Sequence, residues 1–454
     1  MKSRKLFILE LVVLGLFLLS CGLPGTHAIF PATGTPTLAL PLTATPTLTL
    51  PPTDTPILPP SATPTLTETD TAPILPTPSG LTPTLAGPAM THLALGQKID
   101  ITYIHMIDVN QGWGIGGLDK ASDHVFRTQD GGETWREVTP AQPAPVSSAS
   151  ITALGYFLNA DTAWVTYGPV PGTYVIPPFI QVWKTEDGGG KWTYGSIDTS
   201  LVTGEAFSPY YLNFADKQHG WLMVYLGAGM MHAYVALFMT VDGGATWTDI
   251  LDPYTANDIQ SFSKTGMVFV DPKTGWLTRD SQGVDPSPHI FRTTDNGVTW
   301  KRLDLPAPAD MPALYDSYAC STTSPNAFSA VSVIIAMTCR DIDTFKIEKD
   351  YAYFTSDAGI NWQTYPLPSD YSIGEGLYFL SPQSGLALGR MVYKTSDGGK
   401  TWNFIQQVNW DGQFSFVSME LGWAHVFNDQ GETALVKTIN GGETWAMLYP
   451  VVGP

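Results

Sequence analysis

Acids, an imidazole and aromatic rings that could grip a sugar lie between the β-rich runs of this chain: Tyr167, Tyr174, Tyr210, Tyr211, Asp280, Asp285, His289, Asp341, Trp410 and Asp411. Glycoside hydrolysis asks only for two carboxylates about 5 to 9.5 Å apart across a cleft. Aromatics beside acids can also hold sugars or peptides without turnover. Other chemistries find less support. No histidine pair has the spacing of a catalytic zinc site, and no glycine-rich phosphate loop or nucleophile elbow occurs. Asp-rich turns could attract calcium, but they lack the alternating oxygen series of an EF-hand loop. No metal or other cofactor is implied.

A repeat must position these side chains. Seven times between Thr128 and Trp445 an eight-residue phrase recurs, with Thr, then Asp or Asn two residues on, Gly four beyond the Thr and Trp seven beyond it. The first copy runs Thr128-Gln129-Asp130-Gly131-Gly132-Glu133-Thr134-Trp135, and the others carry Asp187, Asp242, Asp295, Asp357, Asp397 and Asn440. An aromatic stands two residues before the Thr in six copies: Phe126, Trp183, Phe238, Phe291, Tyr353 and Tyr393, with Val436 as the exception. The phrase therefore reads as a hairpin between two strands, in which the acid accepts backbone N–H groups and Gly permits a positive φ. A second phrase precedes it, as in Asp108 to Gly112-Trp113 and Asp271 to Gly275-Trp276, and reads as an earlier turn. Blade five lacks a clean copy of it.

The acidic positions are 40 to 62 residues apart. Forty residues suffice for four short antiparallel strands, one propeller blade, and longer intervals mean inserted loops. The expected fold is all-β: a seven-bladed β-propeller of four-stranded antiparallel blades over residues 91–454, with six or eight blades as alternatives if a hairpin is aberrant. Trp135, Trp192, Trp247, Trp300, Trp362, Trp402 and Trp445 should pack between neighbouring sheets. Closure is expected through side-chain packing, or with help from residues 91–95, and not by a fully swapped outer strand. The box turns would share one rim, leaving the candidate acids and aromatics on the opposite, loop-rich rim.

Ahead of the repeats, residues 1–20 combine a basic start with an apolar run, as in a signal peptide. Leu18-Leu19-Ser20-Cys21-Gly22 resembles the lipobox of bacterial lipoproteins, which implies cleavage before Cys21 and its acylation; simple secretion or an uncleaved anchor are the alternatives. Residues 21–90 form a Thr/Pro-rich linker, expected to be a disordered, extended spacer. The folded part would then face outside the cytoplasm from a bacterial cell membrane. Cys320 and Cys339 remain as a possible disulfide in an oxidising compartment, or as two buried thiols. The formal net charge of -18 argues against nucleic acid as a partner.

The repeats resemble Asp-box, or bacterial neuraminidase, repeats. Asp271 to Gly275-Trp276 followed by Phe291-Arg292-Thr293-Thr294-Asp295-Asn296-Gly297-Val298-Thr299-Trp300 resembles the photosystem II stability/assembly factor family and its non-photosynthetic relatives. The resemblance implies a seven-bladed propeller and, in the photosynthetic family, an assembly chaperone acting through a basic patch. This acidic chain has no residues to match that patch. Asp-boxes also occur in sialidases, xyloglucan hydrolases and sorting receptors. A sialidase needs three converging arginines and an Arg-Ile-Pro phrase; the phrase is absent, and Arg136, Arg279, Arg302, Arg340 and Arg390 are the main arginines outside the box strands. The sequence thus favours a non-enzymatic, envelope-anchored, monomeric propeller that binds a protein partner or assists assembly. The alternative is a glycan-binding protein, or a glycoside hydrolase with a carboxylate pair on the loop-rich rim.

Overall fold

Short β-branched and aromatic runs, cut by Gly- and Asp-bearing turns, pair with their sequence neighbours. A computed structural model describes residues 92–141, 151–169, 176–229, 232–251, 257–280, 288–344, 346–368 and 377–454. Within them seven antiparallel sheets follow chain order, forming a seven-bladed propeller with mostly four-stranded blades. Blade 1 comprises Asp100–Met106, Gly112–Gly117, His124–Thr128 and Thr134–Glu137. The first strands of blades 2 to 7 begin at Ile151, Ser208, Lys264, Tyr318, Leu377 and Asp411. Cys21, the linker, Tyr174 and Asp285 lie outside the described residues.

The box hairpin joins the third and fourth strands, and its hydrogen bonds recur in all seven copies. In blade 1 the Thr128 hydroxyl donates to Asp130 Oδ1 (2.8 Å) and accepts from Gly132 N (2.9 Å), while Thr134 N donates to the same carboxylate oxygen (3.0 Å). Asn440 reproduces this with its amide oxygen, accepting from Thr438 Oγ1 (2.9 Å) and Thr444 N (3.0 Å). Gly131 and Gly132 occupy positive φ (76° and 94°), where a side chain is strained.

The earlier phrase is the turn between first and second strands. Asp108 Oδ1 accepts from Asn110 N (2.8 Å) and Gln111 N (2.7 Å). Blade 5, where no copy was legible, has one: Ser329 Oγ accepts from Val331 N (3.3 Å) and Ser332 N (3.2 Å). It was hidden because the inner strand of this blade is broken into Tyr318–Thr322 and Asn326–Ser329, both pairing with Ser332–Asp341. Pro325, which lacks a backbone donor, sits at the break. Cys320 and Cys339 are register partners there and form a disulfide.

The box tryptophans share the seams between blades with a second set of tryptophans. Of the box tryptophans only Trp135 is fully buried; Trp192, Trp247, Trp300, Trp362, Trp402 and Trp445 are half-buried. Several meet the inner-strand Phe of their own blade edge-on, as Trp247 meets Phe214 and Trp300 meets Phe269. The seams between blades are also filled by the second-strand residues Trp113, Trp164, Trp221, Trp276 and Trp423, all inaccessible to solvent, while Trp247, Trp300, Trp362 and Trp402 pack against the same inter-blade clusters and Trp192 donates to Val138 O (2.8 Å) of blade 1. Trp164 stacks on Phe214 and Trp221 on Phe269, each Phe belonging to the next blade, with ring centroids 3.7 and 3.6 Å apart. Their indole N–H groups cross the same seams, Trp164 to Gly243 O (2.8 Å) and Trp221 to Asn296 O (2.7 Å). Four of these tryptophans follow a Gly, and Trp164 follows Ala163; the Gly is a steric requirement where it stands, since a Cβ on Gly220 would lie 2.2 Å from the Phe214 ring.

Closure joins blade 7 to blade 1. Trp423 donates to Gly131 O (2.8 Å), Gln413 Oε1 accepts from Ile104 N (2.8 Å), and Ser415 Oγ accepts from Met106 N (2.8 Å). Beyond the side chains, Val451–Val452 adds a fifth, parallel strand to Thr134–Glu137. The segment from residue 92 helps: Gly96 N donates to Val452 O (2.8 Å), and Leu93 N donates to the Glu137 carboxylate (2.8 Å). Two residues of the chain end thus do what a whole swapped strand does elsewhere.

Candidate functional site

Because the strands alternate in direction, the two-to-three and four-to-one connections share the rim opposite the boxes. The described members of the sequence-selected set fall there but do not form one constellation. Tyr167, on the second strand of blade 2, is half-buried against the core between blades 1 and 2. Asp341 turns back on its own loop, its Oδ1 accepting from Thr344 N (2.7 Å) and Thr344 Oγ1 (2.8 Å), bonds that hold its carboxyl below the usual range. Asp411 accepts from Arg390 Nε (3.1 Å) and Nη2 (3.0 Å), and Arg390 also pairs with Asp429. Trp410 and His289 are corrected from rim ligands to core: Trp410 is 3% exposed and meets Trp445 edge-on at 5.5 Å, and His289 is 2% exposed.

Four of the selected residues do converge, at the junction of blades 3 and 4. A β-bulge in Ser208–Phe214 sets Tyr210 and Tyr211 side by side, ring centroids 4.5 Å apart, and both hydroxyls donate to Lys264 O (2.7 and 2.9 Å). Burial raises both phenols above their ordinary value. His289 Nδ1 lies 3.0 Å from Arg279 Nη2, and Arg279 Nη1 donates to Ser261 Oγ at 3.0 Å. Asp280 accepts from the Ser321 hydroxyl of blade 5.

Sequence reasoning missed the centre of this group, Lys264. Its side chain is 2% exposed, and Nζ donates to Phe262 O (2.6 Å) and Ser261 O (3.2 Å). Burial, then the neighbouring Arg279 charge, push the amine down to about 7. A lone Lys opening a β-run was the only signal. Asp350 was missed too. It sits half-buried on the third strand of blade 5, its Oδ1 without a hydrogen-bond partner among the described residues. Burial pushes its carboxyl up to about 6, against opposing pulls from Thr338 and Arg340. The box acids, Asp341 and Asp429 are by contrast pulled down. Among the described residues no group of three or more His, Cys, Asp or Glu side chains could hold a metal ion.

No protein-family model matches the chain. Over 193 residues, 38% of its length, it is 25% identical to the xyloglucanase Xgh74A of Acetivibrio thermocellus, and over 197 residues it is 29% identical to a xyloglucanase of a Paenibacillus species. These matches span 21% and 17% of the two relatives. Among solved structures it is similar to YCF48 bound to D1 peptide, with 16% identity and a TM-score of 0.49, covering 79% of this chain and 99% of that one. YCF48 from Cyanidioschyzon merolae gives 16% identity and a TM-score of 0.47, covering 79% and 100%.

Proposed function

We propose that the chain is a lipid-anchored propeller, displayed outside the cytoplasm on the acyl chains of Cys21, that binds a neutral polysaccharide on its loop-rich rim and does not cleave it. The observation that carries this reading is the sequence kinship with two xyloglucanases over more than a third of the chain. The state of the rim acids supports binding over turnover. A general acid needs a raised pKa, whereas Asp341 is held low by its own turn and Asp429 by Arg390. The strong negative charge of the chain also favours an uncharged polymer over an acidic one.

The test is native gel electrophoresis of the detergent-solubilised full chain through gels containing xyloglucan, xylan or mannan. Retardation in at least one, without release of reducing sugar, is the expected result. Turnover that disappears in Asp350→Asn would replace the binding module with a hydrolase. Unchanged mobility in every gel would reject polysaccharide recognition and return the choice to a protein partner.

A further inference from the structure

The seam that closes the ring leaves a cavity of about 360 Å³ between blade 7 and blade 1. Its walls come from the strand entering blade 1, the turn after the second strand of that blade, and the strands and trailing segment of blade 7. These are rim-side ends of their strands. The volume falls in the lower part of the range for small-molecule sites, about 300 to 1,000 Å³.

The polar lining is mixed in sign. Lys98 and Asp119 are exposed and have no ion-pair or hydrogen-bond partner among the described residues. Asp100 accepts one bond, from Lys120 N (2.9 Å), leaving carboxylate lone pairs over. His425 lines the same cavity, and its Nε2 is buried without a partner among the described residues. Burial lowers its pKa, with Asp100 opposing and Lys120 assisting, so the imidazole is neutral at pH 7. Tyr449, 71% exposed, stands at the edge. An anionic ligand would meet two carboxylates here, and a cationic one would meet Lys98. Hydroxyl groups suit the set, since they donate to the carboxylates, accept from the amine and pair with a neutral imidazole in either sense. A buried polar atom left unpaired is costly, and a ligand hydroxyl would satisfy it.

We infer that this seam pocket is the sugar-binding site, taking one or two rings of a neutral saccharide whose C–H face lies on Tyr449. The inference rests on the polysaccharide-binding reading above and gives that reading a place. Asp119 has a positive φ (50°), which Asn tolerates, so Asp119→Asn removes a charge without backbone change. Leu118→Trp blocks the mouth from a partly exposed position.

In xyloglucan gels the full chain carrying Asp119→Asn should bind at least tenfold more weakly than wild type, and Leu118→Trp should run unretarded, both with wild-type thermal midpoints. Xyloglucan oligosaccharides should also shift the His425 ring resonances of the wild-type chain, a readout that needs no variant to fold. Wild-type affinity in both variants, or unmoved His425 resonances under saturating sugar, overturns the seam site while leaving polysaccharide binding intact. A wild-type chain that no polysaccharide retards overturns both.

Discussion

The two rims of the propeller are built from the same strands but use their acids in opposite ways. On the box rim, Asp130, Asp187, Asp242, Asp295, Asp357 and Asp397 each hold a hairpin with the same bonds, and the first Gly position donates its N–H to the carbonyl of the neighbouring turn in every blade, as Gly131 does to Asn110 O (2.8 Å). On the loop-rich rim the acids have unlike partners: Asp411 and Asp429 share Arg390, Asp341 has its own turn, Asp280 a serine of the next blade, and Asp119 none among the described residues. A repeated acid is thereby committed to geometry. Where the repeat is not obeyed, the acids are not so committed.

The sharpest way to separate the two is to damage the ring far from the loop-rich rim. Trp221→Ala removes a ring stacked at 3.6 Å on Phe269 and an N–H donor across a blade seam. It should cost about 3 to 5 kcal/mol in chemical denaturation, while the fraction that stays folded keeps wild-type retardation by polysaccharide. If binding falls in step with stability, the rims are not separable.

An acid titration probes the box rim alone. Hydrogen bonds from the Thr401 hydroxyl and then its backbone N–H hold Asp397 at about 2, below its ordinary 3.8, and Asp187 and Asp357 are lowered by similar bonds from Lys191 and Asn361. A folded pKa below the unfolded one means the stabilisation is complete above about pH 4 and is lost as pH falls towards 2. The thermal midpoint should therefore drop through that window. Asp397→Asn, which makes the sixth box like the one that Asn440 already builds, should make the drop shallower. An unchanged acid limb in that variant would mean that these carboxylates do not carry the dependence.

The same contrast explains what was legible. The Thr, Asp, Gly and Trp of each box recur because one turn demands a hydroxyl, an acceptor and positive φ at fixed places, so spacing alone revealed blades, hairpins and rim assignment. The division between tryptophans was less visible, since Trp221 and Trp247 differ only in which blade they face, a property of tertiary packing. The Gly-Trp pairs at 112, 220, 275 and 422 carried the clue, because a glycine in a strand marks close approach. On the other rim the candidate list was drawn by residue type. Trp410 is core, and Lys264, Asp350 and the seam pocket escaped because their character comes from burial and from distant segments brought together by closure.

Blade 5 offers the smallest and most local test, because its box holds a plain methyl side chain at a position of positive φ. Where five copies have Gly and blade 4 has Asn296, blade 5 has Ala358 at φ 66°, still donating its N–H to Val331 O (2.9 Å). An L-residue there costs about 1 to 2 kcal/mol relative to a relaxed backbone, and glycine's greater freedom in the unfolded chain takes back about 0.4 to 1 kcal/mol. Ala358→Gly should accordingly stabilise the chain by about 0.5 to 1 kcal/mol. The converse, Gly243→Ala in blade 3, puts a Cβ 2.6 Å from Lys217 O at φ 75° and should destabilise by more than that gain. Opposite signs in denaturation would show that one hairpin geometry is enforced in both blades. A loss of stability in Ala358→Gly would mean that blade 5, with its broken inner strand and its disulfide, holds its box by contacts of its own, and the box rim would then be less uniform than its hydrogen bonds imply.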